Sequence, residues 1–481
     1  MDLAPVPTLA YAGQVCFSCY RAPPQTEELR RCGGCRRVKF CSAECSKKEW
    51  KDHKPFCLSF STLRQRPHAY LPPLSSNSPS ALSARRETHR SQFLLEDELL
   101  TAALGRDQTV LEGQLLWREP RCRECGDREG EVETREGAGE KEGEAKGWRF
   151  CGGCKVVQWC CGEHEKLGSE GHREVKGADG RSQCETLQLS TEIDEFHLRH
   201  SLSQAHLASP SPPSLWIPTR RLSSPTHLPS SGGWEAYLAD PLVARSLPTS
   251  PPPTKAQIYG IWLEALSPPI SFLAALRRIP SSNIDISKTL TLHLLEETHQ
   301  SLSAWLPALE ELGHQLPSLR SMEIRACAPT TTSSGGGKGV PLPLCPECKA
   351  EGKERRVVSC GGVSAEGKAG GAQAAVVWNR SFAQADPDSP FWADQLRALL
   401  SPSSPSTPLI WFSLTAEESS DELDAVLSFA RSSLPGGEEG VEVLWRPERN
   451  EWSGGWPRVD LWEEDGVVRR GEWSWAVRRR E

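Results

Sequence analysis

Long apolar runs are missing from this sequence: no stretch approaches 18 residues, which argues against a transmembrane span. The start, Met1-Asp2-Leu3-Ala4-Pro5, lacks the basic opening and apolar core of a signal peptide. No Arg-rich amphipathic stretch follows it, as a mitochondrial presequence requires, so the cytoplasm or nucleus is the expected location. Catalytic motifs are scarce too. No G-x-G-x-x-G follows a predicted strand, and no G-x-S-x-G elbow occurs. Gly335-Gly336-Gly337-Lys338-Gly339 has Thr332 where a phosphate loop needs its first glycine and Gly339 where it needs Ser or Thr. It reads as a flexible loop. A net charge of −7 gives no reason to expect general affinity for nucleic acid, and nothing sets an oligomeric state.

Cysteine, by contrast, is plentiful and patterned. Between Cys16 and Cys57 the sequence runs Cys16-x2-Cys19, Cys32-x2-Cys35, Cys41-x3-Cys45 and His53-x3-Cys57. So short a segment cannot bury enough apolar surface to fold alone. A structural zinc ion supplies about 10–16 kcal/mol of apparent binding energy, which in such a module is folding energy. Four Cys or His ligands close a tetrahedron and leave no position for water or substrate, the signature of a structural site. A disulfide framework is the other reading of dense cysteines, but it belongs to short secreted chains. From Tyr11 to Cys57 ten Lys/Arg face five Asp/Glu, and basic neighbours favour the thiolates that zinc needs.

The string Phe40-Cys41-x3-Cys45-x4-Trp50-x2-His53-Lys54-x2-Cys57 resembles the MYND-type zinc finger, over residues 16–57. The resemblance implies two zinc ions with cross-braced pairing. One would take Cys16, Cys19, Cys41 and Cys45; the other would take Cys32, Cys35, His53 and Cys57. It also implies protein partners, recognised through short, often proline-containing peptides. Trp50 is read as a small-core residue.

The pattern returns as Cys122-x2-Cys125, Cys151-x2-Cys154, Cys160-x3-His164 and His172, with Trp159 where Phe40 stood. Equal gaps indicate an internal duplication. His164 replaces a cysteine, an exchange zinc accepts. The loop between the first two pairs is longer and holds the charged, Gly-rich tract 129–144, expected to be a disordered insert. Lys176 occupies the place of Cys57, so Cys184 is the candidate last ligand, and this copy is expected to hold one or two zinc ions. Cys161 has no counterpart and reads as a buried or free thiol.

The expected fold class is multidomain: small cross-braced zinc modules followed by an α/β layered domain. The boundaries read 11–60 for the first finger, 61–120 for a linker with one helix, and 121–185 for the second module. A Ser/Pro-rich linker would cover 186–253 and the α/β domain 254–481. The linker helix is placed at Thr88 to Leu104, with Phe93, Leu94, Leu99, Leu100 and Leu104 available for burial. In the last domain, strands are expected at Thr289–Leu295, Leu319–Cys327, Ala374–Trp378, Leu409–Leu414 and Val441–Trp445. Helices are expected at Ser301–Leu316, Phe391–Leu400 and Ser420–Ser433.

Leu290 to Ile324, with Ala304-Trp305-Leu306-Pro307 and Glu311-Leu312-Gly313-His314-Gln315-Leu316-Pro317, is similar to the C-terminal domain of a fungal mitochondrial splicing-suppressor/translational-activator family. Ala375-Val376-Val377-Trp378-Asn379 fits the same family, and the similarity covers much of 255–435. It implies an alternative role in mitochondrial gene expression. Cys345-x2-Cys348 is a lone pair that, with Cys360 and one more ligand, could hold zinc or stay a reduced thiol pair. His293 and His314 read as ordinary structural residues. Lysine methyltransferases also carry MYND-type fingers, but the chain has only five tyrosines and no Asn-His-Ser-Cys type stretch. No enzymatic activity is expected.

Overall fold

The computed structural model describes residues 8–23, 29–64, 77–106, 108–117, 119–128, 148–176, 181–204, 228, 233–246, 252–279, 289–295, 306–327, 339–342, 344–360, 372–379, 390–400, 406–459 and 467–480. The acidic tract 129–144 and most of the phosphate-loop-like glycine run lie outside them. Two compact units divide the chain: Met1–Pro212 with Pro457–Val468, and Pro213–Trp456 with Arg469–Glu481. Each is described by itself.

The first unit holds both cysteine-rich modules. In each, a two-residue antiparallel ladder leads into a helix. Strand β1 (Arg30–Arg31) pairs with β2 (Lys39–Phe40), and β3 (Arg149–Phe150) with β4 (Gln158–Trp159). Ladders this short carry little stability of their own, so the side chains beneath them must. A short turn, α1 (Thr8–Tyr11), opens the unit, and the first module continues into α2 (Ala43–Arg64). Helix α3 (Pro79–Leu104) follows, capped by the Ser78 hydroxyl at one end and by left-handed Gly105 at the other.

The linker expectation for 61–120 needs correction here, because α3 is far more than a tether. Leu82, Arg85, His89, Phe93, Glu96 and Leu100 recur at helical spacing and are all buried. Arg85 Nε and His89 Nε2 reach Asp127 Oδ1 at 2.9 and 2.8 Å, in the second module. Glu96 lies between Arg37 of the first module, at 3.9 Å, and Arg128 of the second. The polar residues on this face pair across to both modules, which is why apolar periodicity alone under-read it. Leu94 is 52% exposed, not buried as expected.

Helix α4 (Val110–Trp117) precedes the second module. Helices α5 (Gly162–Glu174) and α6 (Gln183–Gln204) complete it. Helix α6 occupies much of the span expected to begin the linker at 186. Its Leu187, Ser190, Asp194 and Ile193 are buried, and a mixed polar and apolar face disguised it. The hairpin β12 (Arg458–Val459) and β13 (Val467–Val468) belongs to this unit although it lies far along the chain.

The second unit is built on an eight-stranded mixed sheet, in the order β11-β14-β10-β9-β5-β6-β8-β7. Its strands are β5 (Thr289–Leu295), β6 (Ser321–Cys327), β7 (Val340–Pro341), β8 (Glu354–Cys360), β9 (Ala374–Trp378), β10 (Leu409–Ser413), β11 (Val441–Arg449) and β14 (Trp473–Arg479). The parallel core β10-β9-β5-β6-β8 reverses its winding direction between β5 and β9, and β14 closes it antiparallel against β10.

Strands buried on both faces read as unbroken apolar runs. Along β9, Ala374, Val376 and Trp378 enter one core while Ala375 and Val377 enter the other. The first core packs against α9 (Lys255–Arg278), through Leu266, Ile270 and Leu273. By length and composition alone α9 could cross a membrane, but its apolar residues lie under the sheet. The second core packs against α12 (Pro390–Leu400) and α13 (Ala416–Ser433). There Trp392, Trp411 and Trp475 stack in succession, with ring centroids 5.1 and 5.4 Å apart. Short helices α7 (Gly233–Ala239) and α8 (Pro241–Ser246) also join this unit, so part of the expected 186–253 linker is ordered.

Candidate metal centres

A Cys-x2-Cys turn can aim two thiols at one point only if its backbone bends sharply. In the first module Tyr20 N donates to Cys16 O at 2.8 Å and Arg36 N to Cys32 O at 3.1 Å. Both Tyr20 and Arg36 take positive φ, at 56° and 58°, to close those bends. The second module repeats them: Gly126 N to Cys122 O at 2.9 Å, Lys155 N to Cys151 O at 2.9 Å, with φ of 75° and 62°.

The sulfur and imidazole atoms gather accordingly. Cys16, Cys19, Cys41 and Cys45 form one group, and Cys32, Cys35, His53 and Cys57 another. Cys122, Cys125, Cys160 and His164 form a third, and Cys151, Cys154, His172 and Cys184 a fourth. Within each, the potential ligand atoms all lie within 4.8 Å of one another. Zn–S bonds of about 2.3 Å in a tetrahedron set edges of about 3.8 Å. Cys19–Cys41, Cys32–Cys57, Cys125–Cys160 and Cys151–Cys184 stand at 3.6, 3.6, 3.7 and 3.5 Å. The donor chemistry and spacing fit zinc in all four.

Lys176 takes no part. Its amine pairs with Glu185 on the surface, and Cys184, at the start of α6, turns inward instead. A glycine marks the same close approach in both modules. A Cβ on Gly34 would stand 2.7 Å from Cys57 Sγ, and one on Gly153 would stand 2.8 Å from Cys184 Sγ. Cys184 therefore replaces Cys57 in space as well as in number.

Hydrogen bonds orient the imidazoles. His53 and His172 present Nε2 to Cys35 and Cys154, at 3.3 and 3.5 Å. The other nitrogen of His172 meets Gln183 Oε1 at 2.7 Å. His164 is turned round: Nδ1 faces Cys160 at 3.1 Å and Nε2 meets Asn77 Oδ1 at 3.1 Å. Such outer partners fix tautomer and ring direction at metal sites. Phe40 and Trp159 meet their histidines edge-to-face, at 6.4 and 5.9 Å.

Within the groups the thiols divide, some pushed down while hydrogen-bonded neighbours such as Cys35 and Cys154 are pushed up. Burial pushes Cys16 up, but backbone N–H groups of Cys19, Cys41 and Ser18 outweigh it and hold the thiol at about 7. Cys32 is drawn down to about 3, first by its hydrogen bond with Cys35, against burial. Cys151 is drawn down to about 2 by Cys154 in the same way. Cys161, read as a spare thiol, caps α5 by accepting from His164 N at 3.5 Å and stands outside the four groups.

Two side chains depart from expectation. Trp50, expected in the small core, is 42% exposed, with its ring 6.3 Å from that of His53. Its counterpart at the same distance before His172 is Ser169. In the second unit, Cys345 and Cys348 lie beside Glu310 and His314. Cys360, their expected companion, ends β8 in register with Cys327 instead.

Comparison with known proteins bears on the first of these modules. The family described as MYND finger matches residues 16–57. Residues 16–57 are a MYND finger. Human histone-lysine N-methyltransferase SMYD3 is 43% identical over 54 residues, and its mouse counterpart 41%. These matches cover 11% of this chain and 12% of each relative, so they concern the MYND finger alone. MYND fingers are zinc-binding protein-interaction modules, and this chain carries one beside further Cys/His clusters and a C-terminal domain of mixed sheet and helices.

Proposed function

We propose that the chain is a non-enzymatic, zinc-dependent adaptor in cytoplasm or nucleus, holding short proline-containing peptides of partner proteins on its MYND finger. Each finger carries two structural zinc ions, paired in the cross-braced manner, with Cys184 completing the second. Four protein donors around each ion leave no open position for a substrate, which supports binding over catalysis.

The observation that carries the peptide reading is the exposure of Trp50 on the outer face of α2, beside the ligand-group residue His53. An indole half in water offers a flat apolar platform with low entropy cost to a proline-rich segment. Ser169 gives the second module no such platform, so the first does the binding. Titration of the full chain with proline-rich peptides tests this. Trp50→Ala should weaken binding at least tenfold while zinc content stays at the wild-type value. Equal affinity for both chains would refute it.

A second reading, a factor in mitochondrial gene expression, is favoured by one detail. Asn379 directly follows β9, close to where the fungal family has a strand ending in Asn, and its carboxamide oxygen accepts from Gly471 N at 2.7 Å. Imaging of a C-terminally tagged chain separates the two, since exclusion from mitochondria ends this one.

A further inference from the structure

Helix α10 (Glu310–Gln315) begins where a single 3-10 turn, Leu306–Leu309, ends beside the sheet. Glu310 and His314 are four apart and so project from one face. Both are buried, as is Cys348, and Cys345 is partly buried. Cys345 and Cys348 open α11 (Pro346–Ala350), with the Cys345 sulfur accepting from Cys348 N at 3.4 Å. One ligand atom from each of the four residues falls within 4.8 Å of the others.

Two features separate this cluster from a chance meeting of polar groups. The first is the outer shell of His314. Its Nδ1 meets Glu311 Oε2 at 3.1 Å, and Glu311 is fully buried with Tyr237 and Gln315 donating to its other oxygen at 2.8 and 2.9 Å. A carboxylate placed there fixes the proton on Nδ1 and leaves the Nε2 lone pair facing Cys345 Sγ, at 3.5 Å. The second is charge. Arg355 donates to Glu310 Oε2 at 2.8 Å, while Oε1 accepts from Cys345 N at 2.8 Å and lies 3.8 Å from His314 Nε2. Two thiolates, the Glu310 carboxylate, one divalent ion and the buried Arg355 guanidinium sum to zero, so an ion that displaces the two thiol protons adds no net charge among these groups.

We infer that Glu310, His314, Cys345 and Cys348 bind a zinc ion, in a structural site separate from the fingers. The donor set of two sulfurs, one imidazole and one carboxylate suits zinc in tetrahedral geometry. The ion ties α10, which follows β5, to α11, which precedes β8, across the strand between them. It does not depend on the adaptor reading.

Native mass spectrometry of the full zinc-loaded chain tests the site. Cys345→Ser/Cys348→Ser should carry one zinc fewer than wild type and no more; an unchanged count overturns the site. If the variant loses several ions its fold has gone, and the wild-type chain decides. N-ethylmaleimide should label Cys345 and Cys348 in the zinc-loaded wild type at least tenfold more slowly than after chelation, read on the peptide that spans them. Equal rates overturn the site whatever the fingers do. Glu311→Gln, which keeps the shape but removes the charge behind His314, should speed zinc loss as read by labelling of that same peptide.

Discussion

Cys184 Sγ lies 3.5 Å from Cys151 Sγ, against 3.6 Å between Cys57 and Cys32 in the MYND finger. The second module has thus kept the sulfur position while losing the sequence spacing. Cys184→Ser should lower the zinc count of the full chain by one, and Lys176→Ala should leave it unchanged. Native mass spectrometry reads both, and a full count in Cys184→Ser would rule the assignment out.

Glycine pairs provide an internally controlled test of the same geometry. A Cβ at Gly153 would press on Cys184 Sγ, while a Cβ at Gly152 meets nothing within 4 Å. Gly153→Ala should accelerate zinc transfer to a chromogenic chelator about tenfold, corresponding to about 1–2 kcal/mol of overpacking. Gly152→Ala should behave as wild type. The pair Gly34→Ala and Gly33→Ala should repeat the contrast in the MYND finger.

Glu96 has a pH consequence. Burial raises its pKa, but Arg128, and then Arg37 and Arg121, overcome that and hold it at about 2. A carboxylate with a folded-state value below its unfolded one stabilises the fold above about pH 4.5. That contribution, about 3 kcal/mol, is lost as pH falls toward 2. Urea denaturation should show Glu96→Gln less stable than wild type by about 3 kcal/mol at pH 7, because buried Arg37 and Arg128 lose one carboxylate partner while keeping Glu119. The gap should narrow at pH 3.

Glu422 works in the opposite sense. Burial raises its pKa to about 8, against the hydrogen bonds of Ser413, Trp411 and Trp475 that favour the charged form. The unfolded chain ionises above about pH 4.5 while the fold keeps the proton, so stability declines from there to pH 8. Glu422→Gln should raise the melting temperature of the second unit at pH 9 and change it little at pH 4. A uniform shift at both values would refute the argument.

Much of this architecture was legible, and the reasons differ by region. Paired Cys-x2-Cys turns announce themselves in sequence, and the candidate ligands singled out from Cys16 to Cys184 fall in four groups that could hold a metal ion. Strands β5 and β9 matched their expected ends because doubly buried strands are unbroken apolar runs. Strand β8, Glu-Arg-Arg-Val-Val-Ser-Cys, carries no apolar run to announce it: it lies near the sheet edge, where buried Arg355 pairs with Glu310 and exposed Arg356 with Glu323. Helix α3 starts nine residues before its expected start at Thr88, because its buried face carries Arg85 and His89. Nothing local relates His314, expected to be an ordinary structural residue, to Cys345, 31 positions later, whose sulfur its Nε2 meets at 3.5 Å. An acidic pair just ahead of it, Glu310-Glu311, was the only hint.

Because Glu96 is shared between Arg37 and Arg128, and Arg85 and His89 fasten α3 to Asp127, neither finger can relax without disturbing the helix against which the other rests. Zinc bound at all four groups would on this geometry be expected to leave them together. A titration with chelator should strip the front of the chain in a cooperative step instead of four independent ones.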